Sequence, residues 1–186
     1  MIRIGIVDDH AVVRAGLRQY LADHVDLRVT GEASNGTQAL ELARAGEVDV
    51  LLMDISMPDQ SGVDALKAIK ARFPDLSVLI LSGFPEAHYA TNLLRLGASG
   101  YLNKECDPDE IVQAIRTVSM GRKYISQAVA TLLAEGVAGG LDRPPHELLS
   151  ERELQVFLRL AKGETIGAMA EAMFLSVKTV STYRTR

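Results

Sequence analysis

Three short stretches of this chain are apolar almost without a break, and segments of helical period separate them. They are "IRIGIV", "VDVLLMDI" and "LSVLILSG", starting at Ile2, Val48 and Leu76. A strand with one wet face alternates apolar and polar residues. These do not, so both of their faces must be covered. Two more stretches, "LRVTGEA" from Leu27 and "GYLNK" from Gly100, read as further strands. Between the strands, "AVVRAGLRQYLADH" puts Val13, Leu17 and Leu21 on one helical face. "GTQALELARAG" is a helix ended by Gly46, "SGVDALKAIKARF" stops before Pro74, and "PEAHYATNLLRLGA" is helical. "DPDEIVQAIRTVSMG" has Asp107 as a cap, Pro108 at the first helical position, Glu110 three residues after the cap, and Gly121 to close it. Five β–α units in succession predict an α/β fold. The sheet is five-stranded, parallel and doubly wound, with right-handed crossovers and helices on both faces.

With 186 residues, 47% of them apolar, the chain has material for one or two packed domains. No apolar run approaches the ~20 residues a membrane helix needs. The N-terminus turns acidic at Asp8, unlike a signal or transit peptide, so a cytoplasmic location is expected. Cys106 is the single cysteine, which excludes an internal disulfide and a Cys-based zinc site.

"SQAVATLLAEG" predicts a short amphipathic helix, and Gly139, Gly140, Pro144 and Pro145 mark a linker after it. A second, smaller, all-α unit follows in "SERELQVFLRLAKG", "TIGAMAEAMF" and "SVKTVSTYRTR". Ser150 and Glu153 have the spacing of a capping box, and Gly163 closes that helix. Ile166, Met169, Ala170 and Met173 are expected to pack the second helix, and Ser176 to cap the third. Net charge is −4, yet the segment from Leu149 carries 6 Lys and Arg against 4 Asp and Glu. Lys178, Thr179, Ser181, Thr182, Tyr183, Arg184 and Arg186 give the last helix a polar, basic character that suits a DNA major groove. On charge alone a solvated surface fits equally well.

In a doubly wound sheet, ligands bind beyond the carboxyl ends of the strands. Asp8 and Asp9 end the first strand, Asp54 the third and Ser82 the fourth, and Lys104 follows the fifth. With these four strands placed centrally, the groups converge. Three carboxylates in one pocket repel one another, and a hard divalent cation such as Mg2+ relieves this. Lys104 is a compact positive charge suited to phosphate, and Ser82 can donate a hydrogen bond. Together they form a site able to receive a phosphoryl group on a carboxylate oxygen. Taken singly, each has an ordinary reading as a turn former, a cap or a surface lysine.

"GIVDDH", "LLMDISMPDQSG", "LILSG" and "GYLNK" resemble the receiver domain of bacterial two-component response regulators, a flavodoxin-like fold, over residues 1–122. The resemblance implies that Asp54 is the phosphoacceptor. It implies that Asp8, Asp9, Asp54 and the backbone carbonyl of Ser56 hold Mg2+, and that Ser82 and Lys104 meet the phosphoryl oxygens. Tyr101 would be an aromatic switch that follows Ser82, and the "MPDQSG" loop would offer backbone groups to the phosphate. Glu105, where many receivers have proline, is a feature of the NarL/FixJ branch. Phe84, two residues past Ser82, is expected to hinder an attacking water.

Residues 149–186 resemble the LuxR-type helix-turn-helix of the same branch, which leaves 123–148 as a linker with a short helix. That resemblance implies DNA contacts from Lys178, Arg184 and Arg186 to phosphates and from Ser181, Thr182 and Thr185 to bases, with Thr179 on the same helix. In the family the recognition helix continues and a final helix follows, so the chain is expected to stop at Arg186 short of both. The implied protein is a transcriptional regulator and not an enzyme. A sensor histidine kinase phosphorylates it, and phosphorylation controls its binding to promoter double-stranded DNA. A homodimer is left open. Two other classes compete. One is a receiver whose output is a protein–protein contact. The other is an aspartate-nucleophile phosphohydrolase, which usually places a second Asp where this chain has Ser56.

Overall fold

The computed structural model describes residues 1–57, 62–84, 86–138 and 151–185. The apolar runs form β1 (Ile2–Val7), β2 (Leu27–Ala33), β3 (Val50–Met53), β4 (Ser77–Ser82) and β5 (Gly100–Asn103). All neighbouring pairs are parallel, in the order β2-β1-β3-β4-β5. Every residue of β3 and β4 is buried, as their unbroken apolar sequences require. Leu51, Leu52, Leu79 and Ile80 are enclosed on all sides, and each such side chain contributes about 1.5–3 kcal/mol by leaving water.

The order corrects one expectation. β5 is an edge strand, not a central one. The convergence survives because the backbone N–H of Lys104 donates to the Ser82 carbonyl at 2.8 Å, so Lys104 enters beside the end of β4.

The helices of this unit are α1 (Ala11–Ala22), α2 (Gly36–Ala45), α3 (Gly62–Arg72), α4 (Glu86–Arg95), α5 (Pro108–Ser119) and α6 (Gln127–Ala138). Asn35 caps α2 by accepting from the Gln38 N–H, and Gly46 ends it in the left-handed region at φ 70°. Asp107 caps α5 through the Asp109 N–H, with Pro108 just inside the helix. The capping box expected there is only half made. Glu110 accepts from the Tyr124 hydroxyl at 2.8 Å, so its carboxylate ties α5 to the segment after it.

That tie has a counterpart in the backbone. The Tyr124 N–H donates to the Ser99 carbonyl at 2.9 Å, and Tyr124 bridges to Gly100 beside β5. A side chain at Gly100 would collide with Tyr124, so glycine permits the approach. Val129 is buried and α6 packs against α4. The short helix expected within 123–148 forms as α6, and it belongs to a compact unit spanning Met1–Ala138. Residues 139–148 lie outside those described.

The α1–α5 side carries a polar clasp. The Tyr20 hydroxyl donates to Asp109 at 2.6 Å, and Arg116 makes a two-pronged pair with Asp26 at 2.8 Å in each arm. The bond to the Asp109 carboxylate, helped by partial burial and by nearby acidic charge, pushes the Tyr20 phenol from 10.0 up to about 12. A folded value above the unfolded one means stabilisation that is complete below pH 10 and is lost as pH rises through about 12. Subtracting the phenolate absorbance of Tyr20→Phe from that of the wild type should show this late titration. A Tyr20 midpoint at the ordinary phenol value would show that the clasp does not form in solution.

The second unit contains α7 (Glu151–Ala161), α8 (Ile166–Ala172) and α9 (Val177–Thr185). Val156, Met169, Ala170, Met173 and Val180 form its core, with Leu160, Ile166, Leu175 and Tyr183 packed around them. Thr165 caps α8, and the Ser176 hydroxyl caps α9 by accepting from the Thr179 N–H at 3.0 Å. Gly163, at φ 78°, follows α7. The Ser150 half of the expected capping box lies outside the described residues. Among the described residues no helix is long and apolar enough to cross a membrane.

Candidate functional site

The sheet order brings the ends of β1 and β3 side by side. The Asp54 N–H continues their ladder by donating to the Val7 carbonyl at 2.8 Å, and the Asp8 N–H donates to Ala33 at 3.1 Å. Both carboxylates are therefore fixed by backbone, immediately past the strands. Asp54 is 2% exposed and Asp8 is buried beside it. Lys104 Nζ lies 2.8 Å from Asp54 Oδ2 and 2.6 Å from Asp8 Oδ2, so one ammonium bridges two acids. The Ser56 N–H donates to Asp54 Oδ1 at 3.1 Å. Burial pushes the Asp54 carboxyl up, and Lys104 only partly offsets this. Burial also works against the Lys104 charge, but the hydrogen bonds and charges of Asp54 and Asp8 outweigh it and its affinity for the proton rises. The pair is held as an ammonium between carboxylates.

Asp8, Asp9, His10 and Asp54 each offer a ligand atom within 4.8 Å of all the others. Asp9 Oδ1 is enclosed yet accepts no hydrogen bond. His10 Nδ1 is 2.8 Å from it, but without the alignment of a hydrogen bond. A buried carboxylate oxygen with no donor, next to two more carboxylates, fits a divalent cation.

Ser82 is fully enclosed at the end of β4, and its hydroxyl accepts from the Phe84 N–H at 3.3 Å. Tyr101 is 1% exposed and its hydroxyl donates to the Phe84 carbonyl at 2.7 Å, which also accepts from the Asn103 side-chain amide at 3.3 Å. Tyr101 and Ser82 are thus connected through the backbone of Phe84. The Phe84 ring packs on Tyr89 with centroids 5.0 Å apart. Residues 58–61 of the "MPDQSG" loop lie outside those described.

Three contributors were not singled out from sequence. His10 follows directly on Asp9, and that adjacency was its only signal. Arg14 donates to the Asp8 carbonyl at 2.6 Å while pairing with Glu32, so α1 grips the end of β1. Gly62 opens α3 against the Asp54–Ile55 backbone, where a Cβ would strike Ile55 Cα and the Asp54 carbonyl oxygen. The same glycine N–H donates to the Ile55 carbonyl at 3.2 Å.

On α9, Val180 faces the core while Lys178 and Thr182 are exposed on the opposite side. Two expectations change. Tyr183 packs with the core cluster, and Arg184, although exposed, sits about 120° round the helix from Lys178. The Thr179 hydroxyl is engaged with Ser176 at 2.7 Å, and Thr182 bonds back to the Lys178 carbonyl at 3.0 Å. Ser181 is half-buried. The Thr185 side chain and Arg186 lie outside the description.

Residues 4–116 match the response regulator receiver domain, and residues 147–186 match the bacterial regulatory proteins of the luxR family. The chain is a response regulator. It belongs to the branch that joins a receiver to a LuxR-type domain. This response regulator is 40% identical over 187 residues to response regulator UvrY of Escherichia coli strain K12, covering 100% of the chain and 86% of UvrY. It is 39% identical over 187 residues to response regulator GacA of Pseudomonas aeruginosa, covering 100% of the chain and 87% of GacA. Among solved structures, a two-component response regulator of the LuxR family from Aurantimonas sp. SI85-9A1 superposes with a TM-score of 0.68 at 33% identity, over 73% of this chain and 97% of that one. RcsB of Salmonella enterica serovar Typhimurium, bound to promoter rprA in the presence of phosphomimetic BeF3-, gives a TM-score of 0.66 at 27% identity, over 98% of this chain and 88% of RcsB.

Proposed function

We propose that Asp54 is the phosphoacceptor of this response regulator and that its phosphorylation controls binding of promoter DNA by α9. The observation that carries the reading is the Asp54 carboxylate, fixed at the end of β3 with the Lys104 ammonium 2.8 Å away. A carboxylate oxygen of Asp54 attacks the phosphorus of a phosphohistidine on a sensor histidine kinase. The P–O bond forms, the P–N bond breaks, and the imidazole leaves with a proton. Lys104 and Ser82 meet the phosphoryl oxygens, which takes Lys104 from its present carboxylate partners. Asp8, Asp9, Asp54 and the Ser56 carbonyl would hold Mg2+, which supplies positive charge against the phosphoryl oxygens. Ser82 and Tyr101 carry the change outward, because a Ser82 that turns to the phosphoryl group releases the Phe84 N–H, and Phe84 is what Tyr101 grips.

The protein is a cytoplasmic regulator and not a turnover enzyme. Ser56 gives it no general acid two residues past the nucleophile. A homodimer on DNA accords with this reading. Phosphate mapping by mass spectrometry, after treatment with phosphoramidate and Mg2+, tests it. The added mass is expected on Asp54, and a label elsewhere would move the phosphoacceptor.

Asp9→Ala should weaken Mg2+ binding more than any other single change in the cluster. Without metal, removing one of three crowded carboxylates should raise stability by about 0.5–1 kcal/mol. Calorimetric titration and thermal melts with and without Mg2+ measure both. Unchanged metal affinity would remove Asp9 from the ligand set.

On DNA, Lys178 would meet a phosphate on one side of the helix and Arg184 one on another side, while Ser181 and Thr182 would approach bases and Thr179 would steady the start of the helix. Lys178→Ala should flatten the log–log salt dependence of binding by about one and leave sequence preference intact. Thr182→Ala should do the reverse. Fluorescence anisotropy at several salt concentrations checks this, and equal slopes for wild type and Lys178→Ala would take Lys178 off the phosphate backbone.

A further inference from the structure

We propose that His10 is a nitrogen ligand at the acidic site, so that the site takes imidazole-preferring divalent ions (cobalt, nickel or zinc) more tightly than an all-oxygen site would, in competition with Mg2+. The inference rests on the reading of Asp8, Asp9 and Asp54 as a cation site.

The geometry points to it directly. Adjacent donors around an octahedral ion with bonds of about 2.1 Å lie about 3 Å apart. His10 Nδ1 stands 2.8 Å from Asp9 Oδ1, the spacing of neighbours in one coordination shell, and 3.2 Å from Asp8 Oδ1, a hydrogen bond the ring would exchange for the metal. The Asp9 oxygen in this arrangement is the enclosed one that accepts no hydrogen bond. His10 is held in place by backbone, since its N–H donates to Asp8 Oδ1 at 2.8 Å. It occupies the position before α1 without making a side-chain cap bond, and the ring bonds to Asp8 Oδ1 instead. The ring is 63% exposed, which leaves the ion a path from solvent and lets the ring turn to meet it.

Donor chemistry then separates the metals. Carboxylate, carbonyl and water suit magnesium, whereas imidazole favours cobalt, nickel and zinc, and affinity for such a mixed site rises from manganese towards nickel. Magnesium gains little from the ring. The later ions gain a bond.

The test uses the whole chain without a polyhistidine tag. Co2+ and Mg2+ are titrated by calorimetry into wild type, His10→Ala, His10→Gln and Asp9→Asn. Proton NMR of the Co2+-loaded proteins looks for hyperfine-shifted imidazole resonances. The wild type should show one shifted imidazole that both His10 variants lack. Its Co2+ affinity should fall about tenfold or more on losing the ring, while Mg2+ affinity changes by no more than about twofold. Circular dichroism of the His10 variants checks that the fold is kept, and His10→Gln retains a polar side chain there. If Asp9→Asn weakens Co2+ but the wild type shows no shifted imidazole from His10, the cation site stands and the nitrogen ligand is wrong. If Asp9→Asn binds both ions as tightly as wild type, the acidic cluster is not the site, and both readings fall together. Equal loss of Mg2+ and Co2+ in His10→Ala would make His10 a positioning residue and overturn the metal preference.

Discussion

Asp54→Asn should abolish phosphorylation by phosphoramidate, with at least a hundredfold loss of rate, and leave the fold intact. The amide has the shape of the carboxylate but no nucleophilic oxyanion, and a covalent mechanism fails when its nucleophile is removed. The fold should survive for a reason visible in the site. Lys104 would keep Asp8, 2.6 Å away, as its partner, so the substitution strands no buried ammonium. Breaking a buried pair is severe mainly when the remaining charge is left alone. The same change removes a carboxylate that burial already disfavours. Stability should therefore move by only about 1 kcal/mol, in either direction. Phosphate uptake followed by mass spectrometry gives the first result and thermal melting the second. Wild-type labelling in Asp54→Asn would remove Asp54 as the acceptor. A collapse of the fold would mean that Asp54 is chiefly structural.

The residues that the sequence pattern singled out at this site share one property. Asp8, Asp9, Asp54, Ser82 and Lys104 each stand at or just past the end of a strand, and a parallel sheet brings such ends to one edge whatever the details of packing. What was not legible depends on packing. His10 enters the cluster because the chain turns at Asp8 and aims the ring back at the two acids, and a lone histidine after two aspartates does not announce that. Arg14 matters through the Asp8 carbonyl, a backbone group with no sequence signature. Glu110 had the spacing of a capping box, yet the Tyr124 hydroxyl reaches it first. "SQAVATLLAEG" predicts the helix that becomes α6, but no pattern in it says what its apolar face meets, so its attachment beside α4 shows only in three dimensions. On α9, composition marked a basic, hydroxyl-rich helix. It could not say that Tyr183 turns inward and that Arg184 sits off the Lys178–Thr182 face.

Gly62→Ala should be among the most damaging single-methyl changes in the receiver, and Gly16→Ala should be mildly stabilising. The two glycines look alike in sequence, each within a helical segment. Their surroundings differ. A Cβ at Gly62 meets Ile55 Cα and the Asp54 carbonyl oxygen, which are backbone atoms that cannot rotate away. Relief requires α3 to move off the β3–α3 junction, and that junction positions Asp54 and the Ser56 N–H bound to it. Overpacking of this kind costs typically 1–3 kcal/mol, and with backbone on the far side the upper half of that range is expected, about 2–3 kcal/mol. That corresponds to a fall in Tm of roughly 5–12 °C. Gly16 lies exposed in α1 with nothing within 4 Å of a Cβ. Alanine there reduces the freedom of the unfolded chain and should add about 0.5–1 kcal/mol. Melting temperatures of the two variants therefore move in opposite directions. Phosphorylation separates the causes further, because Gly62→Ala should slow labelling of Asp54 even at temperatures where the variant is fully folded, while Gly16→Ala should label as the wild type does. If Gly62→Ala melts and labels like wild type, the junction yields easily, and the close approach of α3 does not hold the acceptor aspartate in place.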